Sequence, residues 1–367
     1  MSTEEVLRSR SANGTIIVMI ATGGYSAFLA NMACRLRSLG LENFAMVALD
    51  EGAWEMCKQR NFPAVNASAL LEGSGVGRGG AFSTQAEFHS AEFKSIAKVK
   101  QRAVSKALGL GLDVVMTDVD IAWLRNPLPY FNSKEVGALL RQWRQIEQDM
   151  IPQKGFVLVV VVVEDFDFIV QSDSFSWLAP LHELNSGFYF VRHGDRSTKS
   201  LQRVIDIATE NPTTREQTSF HEGLCGRPGI LTHLLWRRRC VTTFGAKVVA
   251  LDRRKFPNGH NFFVDWGPSK ALAAQPYIVH FNWLDGAETK SKKMKEQGMW
   301  IVNDDGECVA GQIFEGTSPV CGGSWGLVFL VGILLGGVLL WRSKGLTWGK
   351  KKVSFRRNPT NIRHGFG

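Results

Sequence analysis

The stretch LDVVMTDVDIAW, residues 112–123, decides the fold because it places two carboxylates directly after an apolar run. A short run of β-branched and apolar residues predicts a buried strand. Residues two apart on a strand face the same side, so we expect Asp118 and Asp120 to project together, with Val119 on the opposite face. Because ligands of open α/β sheets bind at the carboxyl ends of strands, this pair is the first candidate site.

Two carboxylates this close need a cation between them, or one of them must take up a proton. A hard divalent ion with open positions, Mn²⁺ or Mg²⁺, suits the pair and could in turn hold the two phosphates of a nucleotide sugar. A D-x-D sequence also occurs by chance. The alternative is a turn after the strand in which Asp120 caps a helix.

A second cluster favours the metal site. Residues 277–290 read YIVHFNWLDGAETK, which predicts a strand ending in His280, followed by Gly286 and Lys290. A histidine at a strand end is a competent third metal ligand. Gly286 permits close approach of the backbone to a ligand, and Lys290 can neutralise a departing diphosphate.

Upstream of the carboxylates the chain alternates predicted strands and helices, which indicates βαβ units and an α/β fold. The predicted strands are 15–21 and 44–49, and the predicted helices are 26–39, 52–60 and 89–108. The glycine-rich stretch 71–81 does not follow a strand, so neither the dinucleotide fingerprint nor the phosphate loop applies to it. The apolar run GFVLVVVVV at 155–163 predicts a further buried strand.

Composition and charge exclude a nucleic-acid protein. The chain has 367 residues, 44% of them hydrophobic, which is enough for a substantial core. Its formal net charge is +9, but residues 342–367 hold eight Lys or Arg and no acidic residue, which leaves +1 for everything before them. A phosphate-binding surface should lie on the folded domain and not only on a tail.

The C-terminal region predicts a membrane span. Residues 325–341 read WGLVFLVGILLGGVLLW, and no charged residue lies between Glu315 and Arg342. An uncharged apolar run of this length, with Trp at both ends and a basic flank, is typical of a transmembrane helix with a cytosolic C-terminus. We therefore expect a single-pass membrane protein of the Golgi or endoplasmic reticulum with a lumenal domain.

The N-terminus and the cysteines leave the topology open. The start of the chain is acidic and polar and does not read as a signal peptide, so either an upstream signal is missing or the span is a tail anchor and the domain is cytosolic. The six cysteines form no C-x-x-C metal pair. Either Cys308 and Cys321 form a lumenal disulfide, or all six are free thiols.

Several ordered blocks of the chain match a known family. They are MTDVDIAWLRNPLPYF (116–131), FDFIVQSD (166–173), LNSGFYFVR (184–192), REQTSF (215–220), FPNGHNFF (256–263), VHFNWLDGAETK (279–290) and KEQGMW (295–300). In this order they resemble the nucleotide-diphospho-sugar transferase family of plants, algae and other eukaryotes, which includes α-retaining xylosyl-, galactosyl- and arabinosyltransferases. The resemblance runs from about residue 15 to residue 300.

The resemblance implies a Rossmann-like nucleotide-sugar-binding domain of GT-A type with a mixed sheet. It implies that Asp118, Asp120 and His280 hold a Mn²⁺ or Mg²⁺ ion on the donor diphosphate. The expected donor-binding residues are Ala21, Thr22, Gly23, Tyr25, Asp50, Gly286 and Lys290. The expected catalytic residues, which line the sugar and the acceptor, are Asn185, Glu216 and Gln217. Glu216 departs from the family pattern, in which Asp usually precedes the Gln.

We therefore predict a metal-dependent glycosyltransferase that moves a sugar from a nucleotide-diphosphate donor to a glycan or glycoprotein acceptor with retention of configuration. The nucleotide that we predict for the donor is UDP. The predicted organisation is an N-terminal segment (1–14), the transferase domain (15–305), a linker (306–324), the span (325–341) and a basic tail (342–367). Two alternatives remain. One is a catalytically silent membrane-anchored protein of the same fold. The other is a phosphatase-like hydrolase with Asp118 as nucleophile, although two βαβ-like strands precede this motif instead of none.

Overall fold

The computed structural model describes residues 1–71, 91–132, 166–174, 183–211, 214–226 and 239–309. Several predicted segments lie outside these residues: most of the glycine-rich stretch 71–81, the apolar run 155–163, the membrane span 325–341 and the basic tail 342–367. Within the described part of the chain, no helix is both long enough and apolar enough to cross a bilayer.

The described strands form two sheets. They are β1 Thr15–Ala21, β2 Phe44–Ala48, β3 Ala64–Asn66, β4 Asp113–Thr117, β5 Ile121–Trp123, β6 Phe168–Ser172, β7 Leu184–Val191, β8 Arg239–Val241, β9 Lys247–Ala250 and β10 Ile278–His280. The predicted strands at 15–21 and 44–49 are confirmed, the second with its end one residue earlier.

The described helices surround the larger sheet. They are α1 Thr3–Arg10, α2 Ser26–Ser38, α3 Glu51–Gln59, α4 Ser68–Leu71, α5 Ala91–Gly109, α6 Leu128–Phe131, α7 Asp195–Glu210, α8 Glu216–Cys225, α9 Pro268–Ala273 and α10 Ala287–Glu296. A 3₁₀-helix at Gly23–Tyr25 and a π-helix at Asn261–Asp265 complete them. The predicted helices at 26–39 and 52–60 are confirmed to within one residue at either end.

The large sheet has eight strands in the order β3-β2-β1-β4-β7-β6-β9-β8. Its left half is parallel, as the βαβ pattern predicts, whereas β7 runs antiparallel to both β4 and β6. The predicted mixed sheet is therefore confirmed. Because β6 and β9 are parallel to each other and to β4, the carboxyl ends of β1, β2, β4, β6 and β9 share one edge, and β7 begins there.

The core lies on both faces of this sheet. Along β1, Ile17 and Met19 pack into an apolar cluster with α2, while Ile16 and Val18 pack into a second cluster with α5. A strand covered on both faces has no solvent side, which explains why the sequence of β1 is continuously apolar instead of alternating.

A small second sheet carries one candidate ligand. Strands β5 and β10 pair antiparallel, with Ile121 opposite His280. Since β5 follows the Asp118–Asp120 segment immediately, this pairing brings a histidine to two carboxylates that lie 160 or more positions earlier in the chain.

The cysteine prediction requires a correction. Cys308 forms a disulfide with Cys34 of α2, with a Cα–Cα distance of 5.5 Å, and not with Cys321, which lies outside the described residues. A second disulfide joins Cys225 at the end of α8 to Cys240 of β8. The pairing of Cys34 and Cys308 spans 274 positions, so no local spacing could indicate it.

Candidate active site

The two carboxylates of the D-x-D sequence lie in a turn. Strand β4 ends at Thr117, and the segment from Asp118 to Asp120 turns into β5. The expectation that the two side chains share one face of a strand is therefore wrong. The turn is held by the Trp123 indole nitrogen, which donates to the Thr117 hydroxyl at 3.2 Å, and by the Asp118 amide, which donates to the Gly187 carbonyl at 2.7 Å.

The predicted metal ligands do converge. One ligand atom each from Asp118, Asp120 and His280 lies within 4.8 Å of the others, and the His280 Nε2 is 3.3 Å from an Asp120 carboxylate oxygen. The backbone enforces this, because the amide of Phe281 donates to the Asp120 carbonyl at 2.9 Å. Asp120 and His280 are buried, whereas Asp118 is partly exposed.

The orientation of His280 is fixed by Gln171. The side-chain nitrogen of Gln171 donates to the Phe256 carbonyl at 3.1 Å, so its oxygen faces the His280 Nδ1 at 2.8 Å. An amide oxygen only accepts, so Nδ1 carries the proton of this bond. In the neutral ring Nε2 then presents its lone pair toward the carboxylates, which is the arrangement that a metal ligand needs.

Gly187 in the block LNSGF makes room for the ligands. A Cβ added at this position would overlap the Asp118 carboxylate and would lie 2.8 Å from the His280 ring and 2.9 Å from the Asn185 side-chain oxygen. Since none of these groups can retreat without breaking the cluster, the position requires glycine.

Two lysines neutralise the carboxylates. Lys290 Nζ lies 2.8 Å from Asp120, and Lys100 Nζ lies 2.9 Å from Asp118 and 3.3 Å from Glu216. We call Asp118, Asp120, His280, Lys100, Lys290 and Glu216 the charged cluster.

Electrostatics keeps three members of this cluster, Asp120, Lys100 and Lys290, ionised. Burial alone would raise the pKa of Asp120, but the charge of Lys290 outweighs it and holds that pKa well below its usual range. Burial alone would lower the pKa of Lys100, but Asp118 and Glu216 outweigh it and raise that pKa. The pKa of Lys290 is raised in the same way, since Asp120 outweighs burial.

The donor set fits a hard divalent cation. Two carboxylates and one imidazole with an available lone pair are oxygen and nitrogen ligands of the kind that Mn²⁺ accepts, and Mg²⁺ requires chiefly the carboxylates. The carboxylate charges are balanced by the two lysine side chains.

A second buried carboxylate, Asp173 at the end of β6, collects side-chain amides. Its oxygens accept from Asn185 at 2.6 Å, Gln217 at 2.9 Å, Asn258 at 2.9 Å and Asn282 at 3.0 Å. We call these five residues the amide cluster. They come from five separate segments, so Asp173 ties the catalytic candidates Asn185 and Gln217 to the segments that follow β9 and β10.

The predicted donor-binding residues around β1 lie at the same sheet edge. The Asp50 carboxylate accepts the Gly23 amide and, as the N-cap of α3, the Ala53 amide, each at 2.8 Å. It therefore locks the turn after β1 onto α3. Ala21 and Thr22, at the end of β1, are buried. A contact of these residues with a base or ribose stays a prediction.

Tyr25 and Gly286 border the charged cluster. Burial raises the pKa of Tyr25, and the charges of Lys290, Asp120 and Asp118 also act on it. Gly286 has φ +77° and precedes α10, and its carbonyl accepts the Lys290 amide at 3.2 Å. The left-handed backbone at Gly286 thus turns the chain so that Lys290 lies in the first turn of α10, as Gly at this position allows.

Residues 39–294 match the family model described as nucleotide-diphospho-sugar transferase. The chain belongs to this family. The match encloses both clusters, and it begins after the predicted donor-binding residues Ala21, Thr22, Gly23 and Tyr25.

The chain is similar to several glycosyltransferases. The chain is 29% identical to beta-arabinofuranosyltransferase RAY1 of Arabidopsis thaliana, over 78% of this chain and 48% of that protein. It is 28% identical to UDP-galactose:fucoside alpha-3-galactosyltransferase of Dictyostelium discoideum, over 62% of this chain and 31% of that protein. A solved structure of the galactosyltransferase LgtC with donor and acceptor sugar analogs overlaps 77% of this chain and 95% of its own, with 11% identity and a TM-score of 0.37. The chain spans less than half the length of these two curated relatives.

In this member of the transferase family, sequence reasoning missed part of the site. The missed residues are Lys100, Gln171, Asp173, Gly187, Asn258 and Asn282. Asp173 has the same signal as Asp118, a carboxylate directly after an apolar strand, and that signal could have found it. No sequence signal indicated Lys100, because it lies on a predicted helix that also carries Lys98 and Lys106, and such lysines usually form a solvated face.

Proposed function

We propose that this chain is a metal-dependent glycosyltransferase that moves a sugar from a nucleotide-diphosphate donor, UDP-linked, to a glycan or glycoprotein acceptor with retention of configuration. The observation that carries the proposal is the convergence of Asp118, Asp120 and His280 within 4.8 Å, with Lys290 at 2.8 Å from Asp120. Family membership supports it, and so do two relatives, which are an arabinofuranosyltransferase and a galactosyltransferase.

The donor diphosphate would lie against the charged cluster. Lys290 sits in the first turn of α10, where unpaired backbone amides face outward and favour an anion. A Mn²⁺ or Mg²⁺ ion held by Asp118, Asp120 and His280 would supply electrostatic stabilisation of the leaving diphosphate. The Lys290 ammonium would move from Asp120 to the same phosphates, since one cation cannot pair fully with both.

The sugar would lie between the two clusters. Asn185 is held at both ends, by Asp173 and by the Gly187 amide at 2.7 Å, so it acts as a fixed wall of the pocket. Gln217 donates its amide to Asp173, which turns its carbonyl oxygen away from that carboxylate. Glu216 is oriented by Lys100, whose Nζ lies 3.3 Å from its carboxylate.

The chemistry requires no strong protein base. The difficult step is departure of the nucleoside diphosphate from an anomeric carbon that gains oxocarbenium character. Lys290 would stabilise the negative charge that grows on the leaving diphosphate, and such preorganised electrostatics usually supplies the largest share of catalysis. With retention, the leaving phosphate itself can take the acceptor proton, and we assign no protein nucleophile.

A donor-turnover assay tests the proposal. Purified protein is incubated with UDP-arabinose, UDP-galactose and UDP-xylose, with and without Mn²⁺, and UDP release is measured. We expect release with one donor that EDTA abolishes and Mn²⁺ restores, and a loss of at least about a hundredfold in His280→Ala. Glu210→Gln, an exposed residue at the end of α7, is the matched control.

Two outcomes would reject the proposal. No turnover of any donor would favour the catalytically silent protein. Metal-dependent phosphate release from a simple phosphomonoester, lost in Asp118→Asn, would favour the phosphatase-like hydrolase.

We further propose that the domain at 15–305 is lumenal in the Golgi or endoplasmic reticulum and is held by the span at 325–341. Two disulfides support an oxidising compartment. In microsomes from cells that express the chain, the domain should resist added protease until detergent is present. Digestion without detergent would indicate a cytosolic domain on a tail anchor.

A further inference from the structure

Trp283 has a backbone conformation that its side chain disfavours. Its φ is +66°, in the left-handed region, where a bulky non-glycine residue pays a steric cost. Burial of the ring does not account for the cost, because the residue is 48% exposed. Strained backbone conformations cluster at functional sites, so this outlier next to a candidate active site supports a functional role for Trp283.

The backbone on both sides of Trp283 is held in place. Phe281 is buried and its amide bonds to Asp120, while Leu284 packs against the core. Asn282 donates to Asp173 at 3.0 Å and accepts the Gly259 amide at 2.8 Å. Gly259 is itself required, because a Cβ there would overlap the Asn282 carbonyl.

Trp283 directly follows Asn282, a member of the amide cluster. His260 packs edge to face against the Trp283 indole, with ring centroids 5.4 Å apart. His260 follows β9, and Asn282 reaches Asp173 at the end of β6. In the sheet order, β6 and β9 are separated by β4 and β7 from the β1 and β2 ends that carry the predicted base and ribose residues. Asn282 ties the Trp283 segment to Asp173, so this segment is anchored on the β6 side together with Asn185 and Gln217, the residues expected to line the sugar and the acceptor.

We propose that Trp283 is a stacking platform for a sugar ring of the acceptor, an assignment that rests on the proposed transferase function. A sugar ring has an apolar C–H face and polar edges. The negative face of an indole attracts those C–H groups, and its N–H can donate to a ring hydroxyl. The pinned backbone presents the indole without the entropy loss that a flexible side chain would incur on binding.

Two substitutions test the platform. Trp283→Gly removes the ring and accommodates the left-handed backbone, so a loss of function cannot be ascribed to new strain. Trp283→Phe keeps an aromatic face. Phe244→Ala is the control, because Phe244 is also an exposed aromatic but lies in the β8–β9 turn, at the opposite end of β9 from His260.

Acceptor kinetics and direct binding are measured on the full chain. The acceptor probes are arabino-, galacto- and xylo-oligosaccharides and methyl L-fucoside. We expect Trp283→Gly to raise the acceptor KM by about tenfold with a much smaller change in kcat, Trp283→Phe to recover most of it, and Phe244→Ala to match the wild type. Calorimetric binding of the probes without donor should weaken by the same factor.

The outcomes separate this inference from the proposed function. If the wild type turns over a donor and Trp283→Gly keeps its acceptor KM within twofold, the platform is wrong and the transferase stands. If no donor is turned over, the transferase fails, and calorimetry alone decides the platform: probe binding that Trp283→Gly weakens supports it. Binding of no probe by the wild type, or equal binding by both proteins, overturns it.

Discussion

The charged cluster and the amide cluster stabilise their carboxylates in different ways. In the charged cluster, Asp118 and Asp120 face cations, the ammonium groups of Lys100 and Lys290. In the amide cluster, Asp173 faces four neutral side-chain amides that come from four separate segments. A lysine can yield its place to a metal ion or a phosphate, whereas amides that are each held by a different strand, helix or loop of the fold cannot. The difference suggests that the first cluster exchanges partners during function and the second holds the site in shape.

Asp120→Asn should produce the largest effect on activity. The substitution removes one metal-ligand charge while leaving an oxygen that Lys290 and His280 can still meet, so we expect kcat/KM for the donor to fall by about a thousandfold. We expect the melting temperature to fall only moderately, because the buried Lys290 loses its charged partner but keeps the amide oxygen as an acceptor. Steady-state kinetics and a thermal melt are run on the same preparation.

The contrast between the two clusters would fail if Asp120→Asn largely unfolded while the fraction that stays folded kept its specific activity. The charged cluster would then be a structural ion-pair network. Glu210→Gln on the exposed end of α7 controls for the loss of one carboxylate elsewhere.

Asp173→Asn should show the reverse balance. An asparagine puts an NH₂ group against donors that now lack an acceptor, and unsatisfied buried donors cost about 1–3 kcal/mol each. We expect the free energy of unfolding to fall by about 3 kcal/mol in urea titrations, with a smaller loss of kcat than in Asp120→Asn. A variant with full stability and no activity would instead make Asp173 a direct substrate ligand.

The same contrast explains what the sequence could predict. The βαβ half of the sheet could be predicted because β1 and β2 are local apolar runs, and His280 could be predicted as a site residue because a strand ends on it. The amide cluster was not, because its members come from five segments that only the mixed half of the sheet brings together. The turn at Asp118–Asp120 was misassigned as strand, since an apolar run does not indicate the residue at which pairing stops. The disulfide of Cys34 depends on the fold in the same way.

Lys100→Met should sharpen the comparison further. The substitution leaves Asp118 and Glu216 without their shared cation, and breaking such a buried pair costs about 3 kcal/mol. If cations in the charged cluster are exchangeable, Mn²⁺ should restore part of this loss. We therefore expect added Mn²⁺ to raise the melting temperature of Lys100→Met more than that of the wild type.

The matched test is Mn²⁺ with Asp173→Asn. That variant retains the charged cluster, so its melting temperature should respond to Mn²⁺ as the wild type does. An equal response of all three proteins would contradict the idea that the divalent ion and Lys100 serve the same carboxylate.

Substitution of Cys57 on α3 should have the smallest effect. Cys57 is a reference for both clusters, because it is a buried titratable group whose burial is not offset by a charge. Burial raises the pKa of its thiol from 9.0 to about 12. The folded protein therefore keeps the proton where the unfolded chain loses it, so the stabilising contribution is complete below pH 9 and declines as the pH rises toward 12. The free energy of unfolding of the wild type, taken relative to that of Cys57→Ala, should be about 1.4 kcal/mol lower at pH 10 than at pH 7. Urea titrations of both proteins at the two pH values measure this directly. A constant difference would mean that the thiol is as easily ionised in the folded chain as in the unfolded one, and then burial without a compensating charge would not be costly here.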